Sequence, residues 1–457
     1  MTTDSTVEIV DNLINLNMRR KKTREAVNLE DFVAYLPMHT YYFMPTREPW
    51  PASSVNVRVP PLGTRTRDKD GKEKLILASA WLDQNRSAEQ MTWAPGEGDL
   101  IHDRLISDGG WIERGGATCL NLYRPPKLTL GIAAEANPWR DHVAMVYPDD
   151  HEHIIRWLAH RVQHPEIKTN HALVLGGAQG IGKDTLLEPV KRAVGPWNFS
   201  EVSPQNMFGR FNGYIQSVIL RISEARDLGD VDRYQFYERL KAYTAAPPDV
   251  LRVDEKFLRE HSVLNCCGVI ITTNHKSDGI YLPADDRRHF VAWSTRTKED
   301  FPDNYWVGLW SWYNNGGDSH VGAYLAELDL SEFDPKAPPP KTAAFFDIVD
   351  NNRAPEDAEL ADALDALRWP DAVTLAQIST VVAADFGLWL ADRKNRRSIP
   401  HRLERCGYAR ARNGDAEDGL WKIGNRRQAV YAKSNLSVRN QHAVAAKLAE
   451  QGWRHHP

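Results

Sequence analysis

The sequence predicts an α/β protein in which helices cover a mostly parallel sheet, with a mixed α/β region before this core and a winged-helix domain after it. Three observations predict this. Between residues 171 and 294 the apolar runs "ALVL", "SVILRI", "GVIITT" and "HFVAW" alternate with stretches of helical spacing, the order a parallel sheet with crossover helices requires. The glycine-rich string "GAQGIGKDT" (177–185) joins the first run to a helix expected to begin near Lys183. Near the C-terminus, "LAQISTVVAADF" and "RRSIPHRLERCG" read as two helices. The strands "YARARN" and "GLWKIG" follow, separated by the turn "GDAEDG".

A chain of 457 residues with 42% hydrophobic composition has room for two to four domains. Its formal charge of -4 supplies no global basic field, so contact with nucleic acid must come from local patches. Cys119, Cys266, Cys267 and Cys406 form no C-x-x-C pair. Neither a signal peptide nor an apolar run of about 18 residues is evident, so the expectation is a soluble, cytoplasmic, reduced protein without a membrane partner.

Residues 1–30, with "RRKKTR" at 19–24, are expected to form a basic mobile tail. Residues 31–140 are rich in Pro, Trp and Tyr and suggest short strands and loops, one reading of which is an oligomerisation collar. The core is expected over 141–345. It opens with "DDHEHIIRWLAHRVQHP" (149–165), an amphipathic helix stopped by Pro165, and it closes on two helices broken at Gly316-Gly317. The proline cluster of "DPKAPPPKT" (334–342) cannot continue a helix. A linker is expected over 346–367, the winged helix over 368–433 and a tail over 434–457.

Gly177, Ala178, Gln179, Gly180, Ile181, Gly182, Lys183, Asp184 and Thr185 follow a strand and precede a helix. Backbone N–H groups can there approach phosphate oxygens, with Lys183 on the β- and γ-phosphates of ATP. Asp184 stands where such loops carry Ser or Thr. Conversely, "SVILRISEA" ends with Ser223 where P-loop ATPases place an Asp for Mg²⁺, followed by Glu224 in the position of the catalytic acid. A divalent cation between a carboxylate and phosphate reverses their repulsion. The metal set is therefore read as Asp184, Ser223 and Glu224 with the first two exchanged, or with Thr185 supplying the hydroxyl. "GVIITTNH" delivers Asn274 to the carboxyl edge of the sheet to orient the attacking water. Arg287 and Arg288 precede the last strand as candidate arginine fingers acting on a neighbouring subunit.

These pieces, in this order within 177–288, resemble the superfamily 3 helicases of viruses, phages and plasmids, in particular the poxvirus and phage type primase-helicase group. The segment "ERLKAYTAAPPDVLRVDEKF" (238–257) is similar to that family's Lys-rich segment through Leu240, Lys241, Thr244, Asp249 and Lys256. The resemblance implies an AAA+-like P-loop core and a homo-hexameric ring. It also implies ATP and Mg²⁺ as cofactors, and a channel hairpin that follows single-stranded DNA through Lys241 and Lys256. No D-x-D or D-x-E strand motif appears in residues 1–140, so a helicase part without a primase domain is expected, with a separate primase or polymerase as partner. Arg393, Lys394, Arg396 and Arg397, at the start of the second C-terminal helix, are read as DNA contacts, with Arg402, Arg405, Arg410 and Arg412 behind them. The expected function is ATP-dependent unwinding of forked DNA for a phage or related mobile element. A DNA-binding loader or switch ATPase, and a small-molecule P-loop kinase, are the alternatives.

Overall fold

Strands buried on both faces read as continuous apolar runs, and all four runs form strands of one sheet. In the computed structural model, which describes residues 27–67, 71, 73–223, 233–276, 280–351 and 355–451, the sheet consists of β1 (Ala172–Gly176), β2 (Phe199–Val202), β3 (Ile219–Ile222), β4 (Gly268–Thr273) and β5 (His289–Trp293). Every pairing is parallel and the spatial order is β2-β3-β4-β1-β5. Strand β2, "FSEV", sets two polar residues between two apolar ones and carries no apolar run that would mark it in the sequence.

The register decides what meets at each edge. Gly176 lies level with Thr273 and Trp293, so residue 177 and Asn274 leave the sheet from one edge, together with Ser223 after β3. His289 lies level with Ala172, so Arg287 and Arg288 enter β5 from the opposite edge.

The stretch after Asp150 forms the expected helix, His151–Gln163, burying Ile154, Ile155, Trp157 and Leu158. Arg161 of this helix is also fully buried; it donates to the carbonyls of Cys266 at 2.7 Å and His164 at 2.6 Å, and to that of Ile167. Burial pulls its pKa down to about 10. The helix after the loop departs from expectation: a 3₁₀ turn, Thr185–Leu187, precedes Glu188–Val194. Pro189 explains the later start, since its fixed φ and missing N–H suit a helix's first turn. Helices Tyr305–Trp312 and Asp318–Glu327 meet at a π turn, Tyr313–Gly317, where Gly316 has φ 104°. The Pro-rich stretch 334–342 forms neither helix nor strand and is fastened to the sheet by Thr342 Oγ1, which donates to the Val291 carbonyl at 2.6 Å.

Residues 27–123 supply mostly short strands, a longer hairpin of Leu100–Ser107 and Gly110–Asn121 that the sequence did not lead us to expect, and two short helices, Ala52–Arg58 and Ala78–Asn85. They share one compact unit with the α/β core, because the chain divides after Ile348. A hairpin of Val250–Val253 and His261–Leu264, inserted between β3 and β4, leans on this region. Thr92 Oγ1 donates to the Ser262 carbonyl at 2.9 Å, and Leu258 packs on the cluster containing Val33, Tyr42 and Leu120.

The second unit corrects two expected boundaries. Residues 346–367 are not an open linker but hold the end of helix Ala343–Asn351 and helix Pro355–Ala366, whose Leu360, Ala363 and Leu364 enter the second unit's core. Residues 434–457 are not simply a tail, since helix Val438–Gln451 packs Ala445 against Trp421, Ile423 and Val430. Between them the expected first helix is broken into Leu375–Ile378 and Ala384–Ala391. "RRSIPHRLERCG" becomes the end of a 3₁₀ turn, Arg393–Arg397, and helix Ile399–Arg405, with Pro400 in its first turn. Strand Tyr408–Ala411 pairs with Val430–Lys433, which the sequence reading missed, while Trp421–Ile423 pairs with Arg426–Gln428 as a separate hairpin. Residues 1–26, with the basic run, lie outside the described residues.

Candidate nucleotide-type site at the carboxyl edge of the sheet

The carboxyl edge carries a cavity of about 540 Å³, within the range of small-ligand sites. Its lining unites the predicted loop residues Gln179, Gly180, Gly182, Lys183, Asp184 and Thr185 with Ser223 and Asn274. Gln179 and Asn274, 95 positions apart in sequence, thus meet because β1, β3 and β4 are neighbours and end together.

Lys183 is 7% exposed. Its ammonium donates to the carbonyls of Gly177 at 2.8 Å and Ala178 at 2.6 Å and to Asn274 Oδ1 at 2.7 Å. Burial pulls its pKa down to about 8, Asp184 beside it opposes that shift and Arg221 adds to it. An anion arriving in the cavity meets a cation already aimed by three oxygens.

The loop is held from behind. The neutral ring of His142, whose pKa burial lowers to about 4, lies 3.1 Å from the Gly182 carbonyl through Nε2 and 2.8 Å from the Tyr305 hydroxyl through Nδ1. A carbonyl only accepts, so Nε2 carries the proton and Nδ1 accepts from Tyr305. Gly182 is required here: its φ is +87°, and a Cβ would stand 2.5 Å from the His142 ring and 2.7 Å from Trp306.

Asp184 has a partner that sequence reasoning missed. Its carboxylate accepts from Arg221 of β3, which also lies 3.7 Å from Glu201 of β2. A signal was present, since Arg221 interrupts the apolar run "SVILRI", where a buried parallel strand normally tolerates no charge. Asp184, Thr185 and Ser223 nevertheless bring hard oxygen donors to one cavity, a chemistry that fits a divalent cation sharing phosphate oxygens. Among the described residues no three His, Cys, Asp or Glu side chains cluster as metal ligands. Glu224 lies outside the described residues.

These contacts make the role of Asp184 measurable. Asp184→Ser and Arg221→Gln are expected to be non-additive in nucleotide affinity by about 0.5–3 kcal/mol, the range for residues in contact. Asp184→Ser with Ser223→Asp reports separately on a shared ion. Additivity with Arg221 would reduce the ion pair to an incidental contact.

Arg287 and Arg288 do not join this cavity. They line a separate one with Tyr237, Lys241 and Asp285. The loop bearing them is anchored by buried Asp286, which accepts from the Arg288 and His289 amides at 2.9 and 3.0 Å and from Tyr237 at 2.9 Å. Burial alone would raise the Asp286 carboxyl, and these bonds with His289 reverse that, holding it near about 2. Lys241 packs over Tyr237 and pairs with Glu238. Lys256 has a different setting, exposed at the tip of the 250–264 hairpin with its ammonium 4.9 Å from the ring of Phe257, which is 84% exposed. A cation beside an exposed ring is the pairing that single-stranded nucleic acid uses, and Phe257 was not read from the sequence.

In the second unit, Arg393 and Arg396 are exposed on the 3₁₀ turn that Lys394 and Arg397 share, ahead of the helix rather than on it. Arg402 and Arg405 instead meet Asp357 at 2.6 and 3.1 Å, so they fasten one helix to another.

Residues 175–288 match a family of unknown function, DUF5906. Over 162 residues, 33% of this chain, the sequence is 25% identical to the DNA primase-polymerase of Nitratiruptor phage NrS-1. The chain spans about a fifth of that relative's length, 22%. The apo structure of the NrS-1 C-terminal region matches with a TM-score of 0.59 at 14% identity, over 88% of this chain and 96% of that one. A second apo form gives 0.52 over 80% and 93%. The chain therefore has the fold of that C-terminal region. No helix among the described residues is long and apolar enough to cross a membrane.

Proposed function

We propose that this chain is an ATP-dependent DNA helicase of the superfamily 3 type, acting as a homo-hexameric ring in the replication of a phage or related mobile element. The observation that carries the reading is the single cavity in which Lys183 donates to Asn274 beside the glycine-rich loop, Asp184, Thr185 and Ser223. In a P-loop ATPase those positions hold phosphates, metal and attacking water. The match to a phage DNA primase-polymerase supports the replication setting.

In this reading the loop amides and Lys183 bind the β- and γ-phosphates. Mg²⁺, held by Asp184, Thr185, Ser223 and Glu224, supplies charge neutralisation of the phosphates when bound. Asn274 orients the water and Glu224 polarises it. Arg287 and Arg288, at the other edge of the sheet, serve the cavity of a neighbouring subunit. Lys256 with Phe257 follows a single DNA strand. The second unit, read as a winged helix, contacts DNA phosphates through its 393–397 turn, and a primase or polymerase works alongside.

The Asp184–Arg221 pair favours a second reading, a loader or switch that binds ATP but turns over slowly, because the pair occupies a carboxylate that the metal needs. Unwinding of a forked duplex under multiple turnover separates the two: the helicase reading expects strand separation that requires ATP hydrolysis, and the switch reading expects none.

The pKa of Lys183 gives a pH signature. Its ammonium is present below about pH 8 and is lost as pH rises through that value. Nucleotide affinity is therefore expected to be level from pH 6.5 to 8 and then to fall by up to about tenfold per pH unit. Unchanged affinity up to pH 9.5 would show that burial does not depress the Lys183 ammonium that far.

A further inference from the structure

The cavity beside Lys183 is charged and hydroxylic on most of its wall, but Trp306 and Trp310 give it one aromatic side. They stand four residues apart on helix Tyr305–Trp312, and therefore on one face. Their surroundings differ. Trp306 is wedged, with its ring edge-on to His142 at 5.7 Å and to Tyr305 at 5.1 Å and tilted on Phe301 at 4.8 Å. A Cβ on Gly182 would touch it at 2.7 Å, so Trp306 is part of what shapes the loop. Trp310 is 41% exposed and meets Tyr313 edge-on at 5.6 Å, and the Tyr313 hydroxyl donates to the Thr185 carbonyl at 3.2 Å. The Trp310 ring thus belongs to the wall at the Thr185 end of the loop, with surface that the protein core does not cover.

We propose that Trp310 is the platform on which the base of a nucleoside triphosphate stacks. This rests on the reading of the cavity as a triphosphate site and adds the determinant of its base preference. A ring stacks on any base because every base has a π-face, and the gain grows with the size of the base. The site therefore takes purine triphosphates ahead of pyrimidine ones and separates ATP from GTP only weakly.

Inorganic tripolyphosphate has the phosphates and no base, which isolates the contribution of Trp310. Binding of ATP, GTP, CTP and tripolyphosphate to the full chain is measured by titration calorimetry, with size-exclusion chromatography on each variant. Trp310→Ala is expected to weaken ATP by about 5- to 150-fold, the span that stacking one base on an aromatic ring supplies. Tripolyphosphate affinity stays as in the wild type, and Trp310→Phe restores most of the ATP affinity. Equal ATP binding by Trp310→Ala overturns the proposal, as does a parallel loss of ATP and tripolyphosphate. Altered assembly with unchanged ATP affinity also overturns it, making Trp310 a subunit contact. If the wild type binds neither ATP nor tripolyphosphate in a manner that depends on Lys183, the triphosphate reading itself fails, a result distinct from failure of the platform alone.

Discussion

Lys183→Ala is expected to abolish ATP hydrolysis, lowering turnover by at least about 10²-fold, the scale on which removing one preorganised charge or donor from a developing anion acts. The geometry explains why no neighbour substitutes. Lys183 is the cation placed among the loop carbonyls and Asn274, whereas Arg221, which shares the cavity, is already committed to Asp184 and Glu201. The loop itself survives the change, because His142 and Gly182 hold it through contacts in which the Lys183 side chain takes no part. The variant should therefore remain folded, with an unchanged thermal transition, while steady-state phosphate release disappears. Turnover within a few-fold of the wild type would end the assignment of residues 177–185 to phosphate.

Arg161→Ala carries the largest expected loss of stability. The wild-type guanidinium is fully buried and satisfies the carbonyl of Cys266 in the interior and those of His164 and Ile167 nearer the surface, and its stem fills the space against Gly268, where a Cβ would stand 2.5 Å from Arg161 Cδ. Truncation strands the buried Cys266 carbonyl, at about 1–3 kcal/mol, and leaves a cavity where the long stem stood, so a loss of order 4 kcal/mol is expected. Arg161→Met keeps much of the stem and should recover the packing part alone. Denaturant unfolding of the full chain, followed by the transition of the first unit, measures both variants. A loss below about 1 kcal/mol for Arg161→Ala would show that the carbonyls find other donors.

The central sheet was legible because its strands are buried on both faces and so announce themselves as unbroken apolar runs. Strand β2 was not, for the opposite reason: "FSEV" sits at the sheet's edge and needs no such run. The loop, Ser223 and Asn274 were legible as pieces, and their convergence followed from strand ends that the register brings level. Trp310 was illegible as a site residue because side-chain direction, not spacing, sends it into the cavity, whereas Arg221 left a trace in the sequence as a charge inside an apolar run. At the C-terminal end, the prolines near 340 drew attention away from "PEDAELADALDA", although its Leu360, Ala363 and Leu364 carry the spacing of a buried helix face. The arginine cluster shows the limit of charge patterning, since Arg402 and Arg405 are consumed by Asp357 while Arg393 and Arg396 stay exposed.

The most direct test of the central claim is ATP hydrolysis by size-fractionated protein, wild type and Lys183→Ala, with and without single-stranded DNA. The account predicts hydrolysis in an oligomeric fraction, stimulated by DNA and absent from the variant. Hydrolysis that is absent from every wild-type fraction, or equal in the variant, or indifferent to DNA in the assembled fraction would contradict it.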